Sequence, residues 1–157
     1  MPLPGETITE NIWPGIPTGN APISTSSSGT ATSGATETFD VVLGYYQFTA
    51  INGHRYLATM NGLIGNGSVA ADVFTVQIRD SGNSSNPTSG SLLVAQQEWY
   101  CSAAGTAGRS PVPLGMTWVA AGSGVHTLGV SATRVAGTGV FTPTGLRELY
   151  VVDLGGN

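Results

Sequence analysis

Acid–base, nucleophilic or metal chemistry in this chain has few residues to draw on: Cys101, His54 and His126, with Asp40, Asp72, Asp80 and Asp153 among the carboxylates and many hydroxyls around them. A hydrolytic triad needs its nucleophile presented by a local signature such as the G-x-S-x-G elbow, and the sequence contains none. Glycoside hydrolysis needs two acids facing each other across a cleft. Here Asp40 and Asp72 fall at strand margins, Asp80 begins a turn and Asp153 sits between Val152 and Leu154, the places of ordinary turn and edge carboxylates. His54 follows an Asn-Gly pair and His126 opens an apolar stretch, so polar surface or capping roles are expected for both.

Metal and nucleotide chemistry fare no better. A single cysteine and two histidines offer no zinc spacing and no internal disulfide, and Cys101 reads as a small buried hydrophobe. Asp80 with Asn83 and Asn86 is too sparse for calcium and is explained by an Asx-type turn. The glycine-rich run from Gly62 to Gly67 carries no phosphate-loop lysine and precedes no helix. No catalytic, metal or cofactor residues are assigned, no cofactor is expected, and an enzyme is the least favoured class. The aromatics are a separate matter. Trp99, Tyr100 and Trp118 could stack on a sugar ring, or anchor a core or subunit interface; the interface or core role is favoured, because no Asp, Asn or Arg partners for a sugar are evident beside them.

The elements that would position these residues are β-strands. Phe39, Val41, Leu43 and Tyr45 alternate with Asp40, Val42, Gly44 and Tyr46, and Phe74, Val76 and Ile78 alternate with Thr75, Gln77 and Arg79. Asn52-Gly53 between two such stretches predicts a hairpin returning through residues 56–60. Further strands are predicted at 92–100, 116–121, 125–135, 140–142 and 148–154; the first could instead hold a helical turn, since Ala95, Gln96, Gln97 and Glu98 are better helix than strand formers. About eight short strands separated by Gly, Asn and Pro turns, with no alternating helices, predict an all-β antiparallel sandwich or jelly roll over residues 36–157.

Residues 1–35 differ in kind. Five prolines, Pro2, Pro4, Pro14, Pro17 and Pro22, interleave with glycines before a Ser/Thr-rich run, a density that opposes helices and ladder hydrogen bonds and predicts an extended or irregular arm without a core. Fixing each backbone residue costs about 1–2 kcal/mol, so a fixed arm needs contacts from outside itself. Ile8, Ile12, Trp13 and Ile16 are its apolar anchors. They either pack back onto their own domain or dock on a neighbouring subunit, and either meets the same energetic need.

Composition narrows the partners. Of 157 residues only 9% are charged, none is lysine, and the net charge is −4, so surface polarity must come from hydroxyls and amides. The five arginines are scattered singly, leaving no basic stripe for nucleic acid or anionic lipid. The N-terminus lacks a signal-peptide pattern, and no apolar run approaches the ~20 residues that span a bilayer, so synthesis in a cytoplasm and no membrane partner are expected.

Three strings carry a resemblance: Val73-Phe74-Thr75-Val76-Gln77-Ile78-Arg79-Asp80-Ser81-Gly82, then Gly124-Val125-His126-Thr127-Leu128-Gly129-Val130-Ser131 continuing to Gly139, and Leu149-Tyr150-Val151-Val152-Asp153-Leu154-Gly155. Over roughly residues 37–155 the chain resembles small jelly-roll-like virion proteins of tailed phages infecting actinobacteria, of the head decoration and minor tail kinds. The resemblance implies a non-enzymatic structural protein, often trimeric, attached through its N-terminal segment; the matched positions are fold determinants and carry no functional residue across. The function expected on this basis is capsid decoration (cement) in the virion, after synthesis in the bacterial host. Residues 1–35 would dock on the major capsid protein or other virion subunits, and the β domain would project as a homo-oligomer, a trimer favoured. The alternative is a minor tail protein or a receptor- or carbohydrate-binding protein that recognises a host surface glycan.

Overall fold

The computed structural model describes residues 16–23, 38–39, 44–145 and 147–156. Twelve strands form among them: β1 (Ile16–Ile23), β2 (Thr38–Phe39), β3 (Tyr45–Ala50), β4 (Arg55–Asn61), β5 (Ile64–Gly67), β6 (Val73–Asp80), β7 (Leu92–Tyr100), β8 (Ser110–Pro111), β9 (Leu114–Val119), β10 (Gly124–Ala136), β11 (Phe141–Thr144) and β12 (Arg147–Asp153). The only helical element among the described residues is a 3-10 turn at Gly105–Gly108.

All pairings are antiparallel. One large sheet has the order β1-β12-β4-β9; the other has β10 at its centre, with β6 and then β7 on one side and β2 and β3 on the other. β2 meets β10 at Ser131 and Ala132 and β3 meets it from Gly124 to Gly129, so the two act as one interrupted strand. With these counted as one, the eight strands of the two sheets follow the orders first-eighth-third-sixth and second-seventh-fourth-fifth in chain order. That is the double Greek key of a jelly roll. β11, β5 and β8 form a small third sheet.

The inward faces meet in one core with two aromatic groups. Phe48, Tyr56 and Trp118 form the first, with ring centroids 5.2–6.2 Å apart; Phe74, Trp99 and Phe141 form the second, at 5.4–6.0 Å. Val76, Ile78, Leu128, Val130, Leu149 and Val151 fill the space with no exposed surface. Each such side chain stabilises the fold by about 1.5–3 kcal/mol relative to exposure. Gly65 belongs to the second group by its lack of a side chain: a Cβ there would lie 2.6 Å from Trp99 Cε2 and 2.9 Å from Phe141 Cε2.

Two local expectations change, and one left open between strand and helical turn is decided. Asn52-Gly53 does make a turn, closed by His54 N–H donating to Ile51 O at 3.1 Å with Gly53 at φ +79°, yet it joins no hairpin. β3 ladders with β10 and β4 with β12 and β9, so the chain passes from one sheet to the other. The turn's own N–H groups are taken up by the 120–123 loop, Gly53 N to Ala120 O and Asn52 N to Ser123 Oγ. Leu92–Tyr100 is a strand throughout, because pairing with β6 along its length outweighs the helix propensity of Ala95 to Glu98. Within the leading Pro/Gly-rich stretch, Ile16–Ile23 forms a ladder, pairing with β12 from Ile16↔Asp153 to Ile23↔Arg147 with an irregularity between Pro17 and Gly19. β1 is the outermost strand of its sheet, and an edge strand tolerates proline.

Candidate functional site

The three aromatics singled out by sequence part company in the fold. Trp99 is buried at 4% exposure and its Nε1–H donates to Ser110 Oγ at 2.7 Å; Trp118, at 9%, lies between Phe48 and Tyr56. Their ring faces are packed against protein. Tyr100, 58% exposed at the end of β7, is the one aromatic of the three whose ring meets solvent. Of the four arm anchors, Ile16 begins β1, while Ile8, Ile12 and Trp13 lie outside the described residues.

Both histidines pair with aspartates distant in sequence. His126, expected at the surface, is buried: its Nδ1 lies 2.8 Å from Asp80 Oδ2, on the core side of β10. Asp80 Oδ1 accepts Gly82 N–H at 2.9 Å, and His126 Nε2 is enclosed with no hydrogen-bond partner among the described residues. His54 Nδ1 lies 3.1 Å from Asp153 Oδ2, and both side chains keep a little solvent contact. Asp153 Oδ1 also accepts Gly155 N–H at 2.7 Å, while Arg55 N–H donates to Gly155 O and Leu154 N–H to Arg55 O. This second pair clasps the C-terminal residues onto the start of β4. Among the described residues neither pair has a nucleophile in hydrogen-bond contact with its histidine, and each holds distant chain segments together.

Asp72 does similar work. Its carboxylate accepts N–H groups from Thr138 at 3.2 Å and Gly139 at 2.5 Å, closing the β10–β11 turn over the bend before β6. Among the described residues no cluster of three or more His, Cys, Asp or Glu is placed to hold a metal ion. Arg147 is fully buried at the head of β12, and burial lowers its guanidinium pKa from the ordinary value; burial raises the Tyr46 phenol.

What the fold does assemble is an apolar side. β7 ends one sheet and β9 the other, and the two run beside each other along the same flank of the sandwich. Nine large apolar side chains are exposed among the described residues, and five of them, Leu92, Leu93, Tyr100, Met116 and Val119, lie on these two strands. Met116 faces the core side, opposite the buried Ala58 and flanked by the buried Leu114 and Trp118, but is 57% exposed. Gln97 on β7 is likewise exposed although its partner is the buried Val76. The two strands carry one charge, Glu98, and no lysine, arginine or proline. Apart from Tyr100, sequence reasoning passed over these residues. Alternation identifies an inward position but not whether the neighbouring sheet reaches far enough to cover it.

Comparison with protein-family models and with curated proteins gives no match to this chain.

Proposed function

We propose that the protein is a structural subunit of a phage virion, a capsid decoration (cement) protein that docks through its leading segment and projects the jelly-roll domain. The observation that carries this reading is the flank formed by β7 and β9, which exposes five large apolar side chains and carries one charge, Glu98. Sheet edges of free-standing proteins are commonly blunted by lysine, proline or bulges, and a flank so sparsely charged suits a molecule that works in an assembly. The sequence resemblance, with a jelly-roll strand order compatible with it, supports reading that assembly as a virion. Residues 1–15 precede an edge strand, β1, from which an extended segment can leave toward a capsid protein or a neighbouring subunit without disturbing the core. Many copies, each adding modest binding energy across subunit boundaries, would reinforce the shell.

Burial of Trp99 and Trp118 leaves a glycan-binding reading to rest on Tyr100 among the three aromatics, which places that role second. The test is co-sedimentation with decorated and stripped particles. A chain lacking residues 1–15 keeps β1 and is expected to fold but not to join particles. Full occupancy by the truncated chain would overturn docking through the arm, and failure of the intact chain to bind any particle would overturn the virion role.

A further inference from the structure

We propose that β7 is a self-complementary pairing edge, on which a second copy of this chain docks antiparallel about a two-fold axis at Gln97. The inference rests on reading the β7–β9 flank as an assembly surface, and it names the partner and the register.

The register with β6 fixes which way β7 side chains point. Trp99, Gln97 and Ala95 lie opposite the buried Phe74, Val76 and Ile78 on the core side. Tyr100, Glu98 and Gln96 lie opposite Val73, Thr75 and Gln77 on the outer side. The irregularity between Ile78 and Arg79 makes Val94 an extra residue and brings Leu93 to the outer side, opposite Arg79. Read outward, the edge therefore runs Leu93, Gln96, Glu98, Tyr100: apolar at both ends, with an amide and a carboxylate between.

That order is its own complement when reversed. A second β7 laid antiparallel about Gln97 sets Gln96 of each copy opposite Glu98 of the other, and Tyr100 beside Leu93 across the bulge. Gln96 Oε1 already accepts Gln77 Nε2–H at 2.7 Å, which leaves its own N–H groups to donate to the incoming carboxylate. The two Glu98 side chains then occupy diagonal positions, about 7–8 Å apart, whereas parallel pairing would set them directly opposite one another. The same approach brings cover to Met116, which faces the core side of β9, since β9 runs beside β7. On the opposite flank β1 is a poorer pairing edge, because it contains Pro17, Pro22 and an irregular step between Pro17 and Gly19. A two-fold strand pair is isologous and closes as a dimer, unlike the three-fold assembly that the sequence resemblance implied.

The register makes opposite predictions for two substitutions at one exposed position. In sedimentation equilibrium of the purified full-length chain, the unsubstituted protein is expected to be a dimer. Gln96→Glu places carboxylate against carboxylate twice and is expected to weaken the dimer about ten-fold or more; Gln96→Lys places opposite charges together and is expected to hold or tighten it. Unchanged far-UV circular dichroism would show both variants folded. A monomer, a trimer, or variants that shift association in the same direction or not at all would overturn the proposal. Particle binding is measured separately, so a monomer in this experiment leaves the co-sedimentation outcome to decide the virion role on its own.

Discussion

His126 and Asp80, 46 residues apart, share a 2.8 Å hydrogen bond between Nδ1 and Oδ2 with both side chains nearly closed to solvent. Asp80 also holds Gly82 N–H, so the pair ties the centre of one sheet to the start of the β6–β7 loop. That loop folds back across the outer face of β10: Thr127 Oγ1–H donates to Asn83 O, Gln47 Nε2–H to Ser84 O, and Pro87 sits where a Cβ on Gly129 would meet its ring at 3.0 Å.

Removing both partners should cost less than the two separate removals added together. His126→Ala leaves the Asp80 carboxylate buried with a reduced set of donors, and a loss of about 3–5 kcal/mol in unfolding free energy is expected. The double variant His126→Ala/Asp80→Ala should lose clearly less than the sum of the single variants, as read from urea midpoints in a double-mutant cycle.

Glycines with similar backbone angles should respond differently. Gly53 at φ +79° has open space around a built Cβ, so Gly53→Ala should cost only the left-handed backbone penalty, about 1–2 kcal/mol. Gly137 at φ +92° would drive its Cβ into the Asp72 carboxylate, so Gly137→Ala should cost measurably more by thermal unfolding.

The buried indoles should report stability, and the exposed ring should not. Trp99→Ala empties space against Phe74 and Phe141 and is expected to cost about 3–5 kcal/mol, whereas Ser110→Ala strands the Trp99 N–H and should cost about 1–3 kcal/mol. Tyr100→Ala should stay within about 0.5 kcal/mol in denaturant titrations.

Tyr46 gives the fold an alkaline limit. Burial raises its phenol above the ordinary 10.0, so the unfolded chain loses that proton first and binds fewer protons than the folded one. Its contribution is complete below 10.0 and falls as the pH rises past that value. Tyr46→Phe should flatten this part of the stability profile, measured as urea midpoints across the alkaline range.

Alternation in Phe74, Val76 and Ile78 was sufficient to identify a strand with one buried face, because side-chain period is a local property of extended backbone. Asn52-Gly53 likewise specified a turn, since glycine accepts φ +79° without a Cβ. Which strands that turn would join was not local: β3 and β4 find their ladders with β10 and β12, more than 70 residues away in sequence. The burial of His126, the closure of the sandwich over Trp99 and Trp118, and the exposure of Met116 all depend on how far one sheet extends over the other. The choice of strand over helix for Leu92–Tyr100 is made by its ladder partner β6, which lies in another segment. Residue types fix what a segment prefers and which face is apolar; only the assembled pair of sheets decides which apolar positions are covered and which remain open on the β7–β9 flank.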